Sequence, residues 1–133
     1  MKAIECVKTA VEKEYTRAAE KFGATNNSPH ESYAVILEKH EEAANKMLVF
    51  EHTLQQFWDD VKNNNTMSAK SFAESMMYQA ESIIAEWIQV AAMCKKAALS
   101  FEKQVIYYAS GCGMEAPGKG HSPPVLDEGS KLK

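Results

Sequence analysis

Apolar residues recur every three or four positions over most of the chain, the spacing that places side chains on one face of an α-helix. The first run of this kind predicts a helix over residues 3–22, and Gly23 is suited to ending it. We therefore expect an amphipathic first helix. Its apolar positions are Ile4, Val7, Val11, Tyr15, Ala18 and Phe22.

A second run begins at a helix-start signal. Ser28 is a suitable N-cap, Pro29 fits the first helical position and Glu31 the third, which together form a capping box. The pattern continues until three consecutive asparagines at 63–65 interrupt it, which predicts one long helix, straight or kinked. Its stripe consists of Tyr33, Ile36, His40, Ala43, Met47, Phe50, Leu54, Phe57 and Val61.

A third run follows, with Thr66 or Ser68 as its cap. It predicts a helix that either is continuous or breaks near Leu99. Its stripe consists of Phe72, Met76, Ala80, Ile83, Trp87, Val90, Cys94, Ala97, Phe101, Val105 and Tyr108.

The length of the second and third helices bears on assembly. At about 1.5 Å per residue, each would exceed the roughly 30 Å span of a small domain, so part of each stripe would lack a partner within one chain. We therefore expect an all-α, long-helix bundle that a homodimer or homotetramer completes.

Glycine and proline divide the chain into two parts. Five of the six glycines and three of the four prolines come after residue 110. This distribution predicts a helical domain over residues 1–108 and an irregular Gly/Pro-rich tail over residues 109–133. Val125 and Leu126 give the tail one apolar site for docking onto the body or a neighbouring subunit.

Composition and charge narrow the class of protein. A chain of 133 residues with 45% hydrophobic content fits one globular domain. The net charge of −3, with acids and bases interspersed, argues against direct nucleic-acid binding. No apolar run reaches the length of a membrane span or of a signal-peptide core, so we expect a cytoplasmic protein. Cys6, Cys94 and Cys112 lack CxxC spacing and predict reduced thiols.

Carboxylates crowd the second helix. Glu38 and Glu42 are four residues apart and share a face, with Glu41 to one side. Like charges at this spacing cost a few tenths of a kcal/mol unless something neutralises them. One interpretation is a solvated face on which Glu42 pairs with Lys39 or Lys46. The other is a set of oxygen ligands for Mg²⁺ or Mn²⁺.

A metal site of this kind would need a second half from another helix. The segment AEWIQVAAMCKK, residues 85–96, places Glu86 and Gln89 on one face of the third helix together with Ser82. Taken alone, Glu86 is more often a solvated helix residue, and Gln89 more often a hydrogen-bonding spacer.

The order of these motifs resembles a known family. The segments EKFGATNNSPHESYAVILEKHEEA and AEWIQVAAMCKK resemble the MazG-like branch of the all-α NTP pyrophosphatase superfamily, over roughly residues 10–98. In that branch a short Asn/Ser/Pro segment leads into a helix with an E-E-x-x-E motif, and a later helix carries E-x-x-D or a Glu followed by I-Q-V-A-A. Small domains of this branch occur in phage and bacterial genomes.

The resemblance implies a Mg²⁺-dependent hydrolase that cleaves nucleoside triphosphates to monophosphate and pyrophosphate. Glu38 and Glu42 match the first and last acids of E-E-x-x-E, and Glu86 matches the first acid of the later motif, so these three would be catalytic and metal-binding. Glu41 is a further candidate metal ligand. Lys39 stands where the middle acid belongs and Gln89 where an Asp belongs, and both would contact nucleotide.

Three hypotheses follow from these matches and departures. The first is a MazG-like pyrophosphohydrolase acting on an NTP or modified nucleotide with Mg²⁺ or Mn²⁺. The second is a degenerate relative that binds and sequesters a nucleotide or nucleotide-derived signal without cleaving it, because Lys39 and Gln89 reduce the negative charge of the site. The third is a helical protein-interaction module. Whether the chain is an enzyme stays open at this point.

Overall fold

The computed structural model describes residues 2–109, with side chains through residue 103, and this part of the chain forms three α-helices. α1 spans Ala3–Phe22, α2 spans Pro29–Lys62 and α3 spans Thr66–Ala109. The predicted all-α class is confirmed, and so are the three helices. α3 is continuous through Leu99.

Ala109, assigned to the tail by the sequence pattern, is the last residue of α3. The remainder of the predicted tail lies outside the described residues, with Cys112, Val125 and Leu126 in it. The side chains of Val105 and Tyr108 also lie outside them. In the described part of the chain, no helix has a stretch that is long and apolar enough to cross a membrane.

Local chemistry explains where α1 ends and α2 begins. Gly23 takes φ 100°, a backbone conformation that favours glycine, and its N–H donates to the Ala19 carbonyl at 2.8 Å. Ser28 Oγ accepts the Glu31 N–H at 3.0 Å, so the predicted N-cap is confirmed. The Glu31 carboxylate accepts the Asn27 N–H at 2.5 Å rather than that of the cap residue itself.

The turn between α2 and α3 uses the asparagine run. Asn64 adopts φ 56°, a left-handed conformation that asparagine tolerates better than most residues. Asn65 Oδ1 accepts the Ser68 N–H at 3.4 Å. The prediction of Thr66 or Ser68 as the cap is therefore wrong, because α3 already begins at Thr66 and Asn65 fills the capping position.

α3 is the central element of the described structure. α2 folds back on it as an antiparallel hairpin, and α1 packs on it too, whereas the backbones of α1 and α2 make no close contact with each other. The buried apolar side chains are mostly small, and within the described residues no large side chain is fully buried. They are Ala18, Ala43, Val90, Ala92, Met93 and Ala97.

The predicted apolar stripe of α2 is divided between two environments. Ala43 is buried, and Ile36, Phe50 and Phe57 are half-buried. The alternate members stay exposed, with Tyr33 at 68%, Met47 at 41%, Leu54 at 47% and Val61 at 42%. A single buried stripe is therefore the wrong description of α2, because two adjacent faces are apolar and α3 covers one of them.

Replacing the N-cap tests how α2 is started. We expect Ser28→Ala to lower the free energy of unfolding by about 1 kcal/mol, because the Glu31 N–H loses its acceptor. Ser75→Ala, at an exposed position inside α3, is the matched control and should leave stability unchanged or slightly raised. Urea unfolding followed by circular dichroism measures both, and equal effects would contradict the capping role.

Candidate functional site

A cleft lies between α1 and α2, with α3 as its floor. Its volume is about 400 Å³, within the range of small-molecule sites. It exists because α1 and α2 both pack on α3 without closing on each other. Its polar lining comes from all three helices and the α1–α2 turn, and consists of Glu14, Arg17, Asn26, Glu31, Glu38, Lys39, Gln89 and Lys96.

Two of the three basic side chains in the cleft are already paired. Arg17 donates to both oxygens of Glu14, at 3.1 and 2.6 Å. That hydrogen bonding holds the pKa of the Glu14 carboxyl below its ordinary value, against the opposing effect of burial. Lys39 Nζ lies 3.7 Å from a Glu42 oxygen. Neither cation therefore leaves a full positive charge uncompensated.

Lys96 is the third cation, and its situation differs. The residue is only 7% exposed and lines the cleft. No described residue forms an ion pair or hydrogen bond with its ammonium group. The apolar stem of the side chain accounts for this burial, because the ammonium nitrogen is not among the enclosed polar atoms of the described residues. An anion in the cleft would give this ammonium group an ionic partner.

The turn before α2 is fixed to the same part of α3. The Asn26 N–H donates to Ser100 Oγ at 2.7 Å, and Ser100 Oγ donates to the Lys96 carbonyl at 2.7 Å. Asn26 Nδ2 donates to Ser32 Oγ at 2.8 Å. Buried Ser32 and Ser100 thus hold the wall of the cleft against the helix turn that carries Lys96.

The structure brings together some of the residues predicted from the sequence. Glu38, Lys39 and Gln89 all line the cleft. No described residue pairs with the Glu38 carboxylate. Glu42 is exposed and pairs with Lys39, one of the two lysines considered for it, and Glu41 is exposed as well.

Glu86 lies outside the lining of the cleft. Its Oε2 accepts from Lys46 Nζ at 2.8 Å, and the same ammonium donates to Ser82 Oγ at 2.7 Å. Its Oε1 is enclosed without a hydrogen-bond partner. Glu86 therefore belongs to a polar contact between α2 and α3.

The side chains available as metal ligands decide whether a divalent cation fits this site. Nowhere in the described part of the chain do three or more His, Cys, Asp or Glu side chains come close enough together to hold a metal ion. Glu42 and Glu86 each have a lysine partner, and Glu38 is left as the carboxylate without one. These side chains do not fit a Mg²⁺ or Mn²⁺ site built from one copy of this chain.

Sequence reasoning missed Lys96, Arg17 and Lys46 as site residues. Lys96 had a detectable signal, because Gln89, Met93 and Lys96 follow helical spacing along one face of α3. The sequence contains no signal for the pairing of Lys46 with Glu86, because the two residues are 40 positions apart.

Comparisons with protein-family models, curated proteins and solved structures found no match for this chain. The MazG-like resemblance therefore rests on the two quoted segments.

The Lys46–Glu86 contact gives a first test of the site's surroundings. We expect Lys46→Met to lower the free energy of unfolding by about 1–3 kcal/mol, because both Glu86 oxygens would then lack a partner on a side chain only 14% exposed. The control is Lys70→Met, which breaks the exposed pair with Glu74 and should cost under about 0.5 kcal/mol. Denaturant unfolding that gives equal losses would contradict this account.

Lys96 gives a second test, in which we expect no loss of stability. We expect Lys96→Met to leave the stability of the ligand-free protein unchanged or to raise it by up to about 1 kcal/mol, because methionine keeps the buried length of the side chain and no described residue loses an ionic partner. Lys103→Met, at an exposed position of the same helix, should change it little. A large loss of stability in Lys96→Met would show instead that the ammonium group holds the fold together.

Proposed function

We propose that the protein binds and holds an anionic small molecule, a nucleotide or nucleotide-derived compound, in the cleft between α1 and α2 without cleaving it. The observation that carries this proposal is Lys96, a cation on a side chain that is 7% exposed, lines the cleft and has no ionic partner among the described residues. A phosphate group that reaches Lys96 would accept a charge-assisted hydrogen bond from its ammonium group.

The other walls of the cleft favour a ligand with more than an anionic end. Glu38 and Gln89 offer oxygen acceptors to amino or hydroxyl groups, since no described residue pairs with Glu38. Phe22, Val35 and Met93 supply apolar surface in the same cleft. A nucleotide combines the three features, with its phosphate, its sugar hydroxyls and its flat base.

Binding without cleavage is favoured over hydrolysis by the partners of the acids. Pyrophosphate release by the MazG-like scheme would need Glu38, Glu42 and Glu86 together around a metal. Instead Glu42 pairs with Lys39, and Glu86 pairs with Lys46 outside the cleft. The pyrophosphohydrolase hypothesis is kept as the alternative, because Glu38, Lys39 and Gln89 do share one cleft.

A melting experiment separates the two functions. The purified protein is scanned against nucleoside mono-, di- and triphosphates, each with and without Mg²⁺ or Mn²⁺, and each mixture is then analysed by chromatography. We expect at least one nucleotide to raise the melting temperature without metal and to be recovered intact. Saturation at 100 times the Kd would stabilise the protein by about 2.7 kcal/mol.

The variants make that result specific to the cleft. Lys96→Met should lose the ligand-induced shift, whereas Lys103→Met should keep it. Metal-dependent release of monophosphate would support the hydrolase instead. The binding proposal is overturned if no nucleotide shifts melting, or if Lys96→Met responds like the unaltered protein.

A further inference from the structure

An uncovered apolar face lies on the opposite side of the α2–α3 hairpin from the cleft. On α2, eight large apolar side chains are between 37% and 68% exposed, and all of them except Leu48 and Val49 fall at the alternating three- and four-residue steps of a heptad repeat. Those that follow the repeat are Tyr33, Leu37, Met47, Leu54, Trp58 and Val61. His40, Ala44 and Glu51 complete the repeat, so this stripe, the α2 stripe, has two polar members.

α3 carries a matching stripe beside it, the α3 stripe. Met77, Ile84 and Trp87 are 50%, 54% and 42% exposed and follow the same repeat. The Trp87 ring meets the His40 ring edge-on, with 5.9 Å between centroids. Met47 and Ile84 line one shallow depression of about 270 Å³. The two stripes therefore form one continuous face.

We propose that this face binds a second copy of the chain in an antiparallel, twofold-symmetric arrangement with α2 against α2. From Tyr33 to Trp58, the α2 stripe is symmetric about the peptide between Asn45 and Lys46. Turning it end for end about that point places Leu37 opposite Leu54 of the second copy. It also pairs the a positions of one helix with the d positions of the other at each step, as antiparallel helix packing requires.

Charge selects this register among those that the repeat allows. It places His40 of each copy opposite Glu51 of the other, so the two polar members of the α2 stripe meet. Imidazole donates and carboxylate accepts, and the contact forms twice in the dimer. If the two α2 helices were shifted by one heptad, His40 and Glu51 would each face apolar side chains of the other copy. Both groups would then be desolvated without a hydrogen-bond partner, which is unfavourable.

α3 is compatible with the same axis. Ile84 and Trp87 of its stripe are symmetric about the peptide between Ala85 and Glu86, so the axis places Ile84 opposite Trp87 of the second copy and Met77 opposite Cys94. Lys46 reaches both Ser82 and Glu86, so the midpoints of the two stripes lie at about the same height in the hairpin. One twofold axis therefore serves both helices.

The size of the face fits a stable interface. From residue 33 to residue 61 the α2 stripe runs about 40 Å, from residue 77 to residue 87 the α3 stripe runs about 15 Å, and each helix is about 10 Å wide. The resulting area of roughly 550 Å² per copy, or about 1,100 Å² in total, exceeds the roughly 1,000 Å² expected of a specific interface. The inference does not depend on which ligand occupies the cleft.

Analytical ultracentrifugation of the full chain over a concentration series tests association through this face. We expect a dimer that Ile84→Glu converts to monomer with its helix content retained. The control is Tyr78→Glu in the same helix, at a side chain 63% exposed that lies off the stripe, and it should remain dimeric. A monomer at every concentration, or dissociation by both variants, would overturn the proposal.

A charge exchange tests the register. His40→Glu and Glu51→Lys should each weaken the dimer by about tenfold or more, and the double variant should recover it. Residues 40 and 51 lie about 16 Å apart along one helix, so recovery has to arise between copies. If both single variants weaken the dimer and their effects on dimer affinity simply add in the double variant, this register is wrong.

Discussion

Close contact between α3 and its two neighbours through short side chains is the constraint on which the rest of this structure depends. Ala43 and Ala92 are fully buried, and Ala18 and Ala97 nearly so. Alanines let helix backbones approach closely, but each buries little apolar area and so contributes little stabilisation. Larger apolar side chains are left on the outer faces of α2 and α3, where a further helical layer would be needed to cover them.

The central place of α3 also creates the cleft. Because α1 and α2 each pack on α3 and not on each other, a gap remains between them. Lys96 lies in the floor of that gap, and its ammonium group has no ionic partner among residues 2–103. The cleft and the apolar face lie on opposite sides of the same hairpin. Ligand binding and self-association can therefore occur in one molecule without competing for surface.

The sequence predicted what depends on local chemistry. Apolar periodicity, the Ser28 cap and the asparagine run located all three helices, because each signal acts within a few residues of its own position. The sequence did not predict which of the apolar positions of the second helix α3 would cover. Ile36 and Tyr33 look equally suitable until a neighbouring helix is present.

The same limit applies to the candidate site. Lys95 and Lys96 are adjacent and alike in sequence, yet Lys95 pairs with Glu12 of α1, while Lys96 is mostly buried and has no ionic partner in the part of the chain that the structure describes. The sequence grouped Glu38 with Glu42 and Glu86 with Gln89 by helical faces, and the structure places Glu38, Lys39 and Gln89 in the lining of one cleft. The sequence did not predict that Glu86 lies outside this lining, because its partner Lys46 is set by the register between two helices.

The central claim is that the ammonium group of Lys96, which lines the cleft, receives an anion. The most direct measurement is NMR of the lysine side-chain ammonium groups in ¹⁵N-labelled protein during titration with inorganic pyrophosphate, with the Lys96 signal assigned from the Lys96→Met spectrum. The account predicts a saturable shift at Lys96 while exposed Lys103 stays unchanged. An unmoved Lys96 signal, or equal shifts at all lysines, would contradict it.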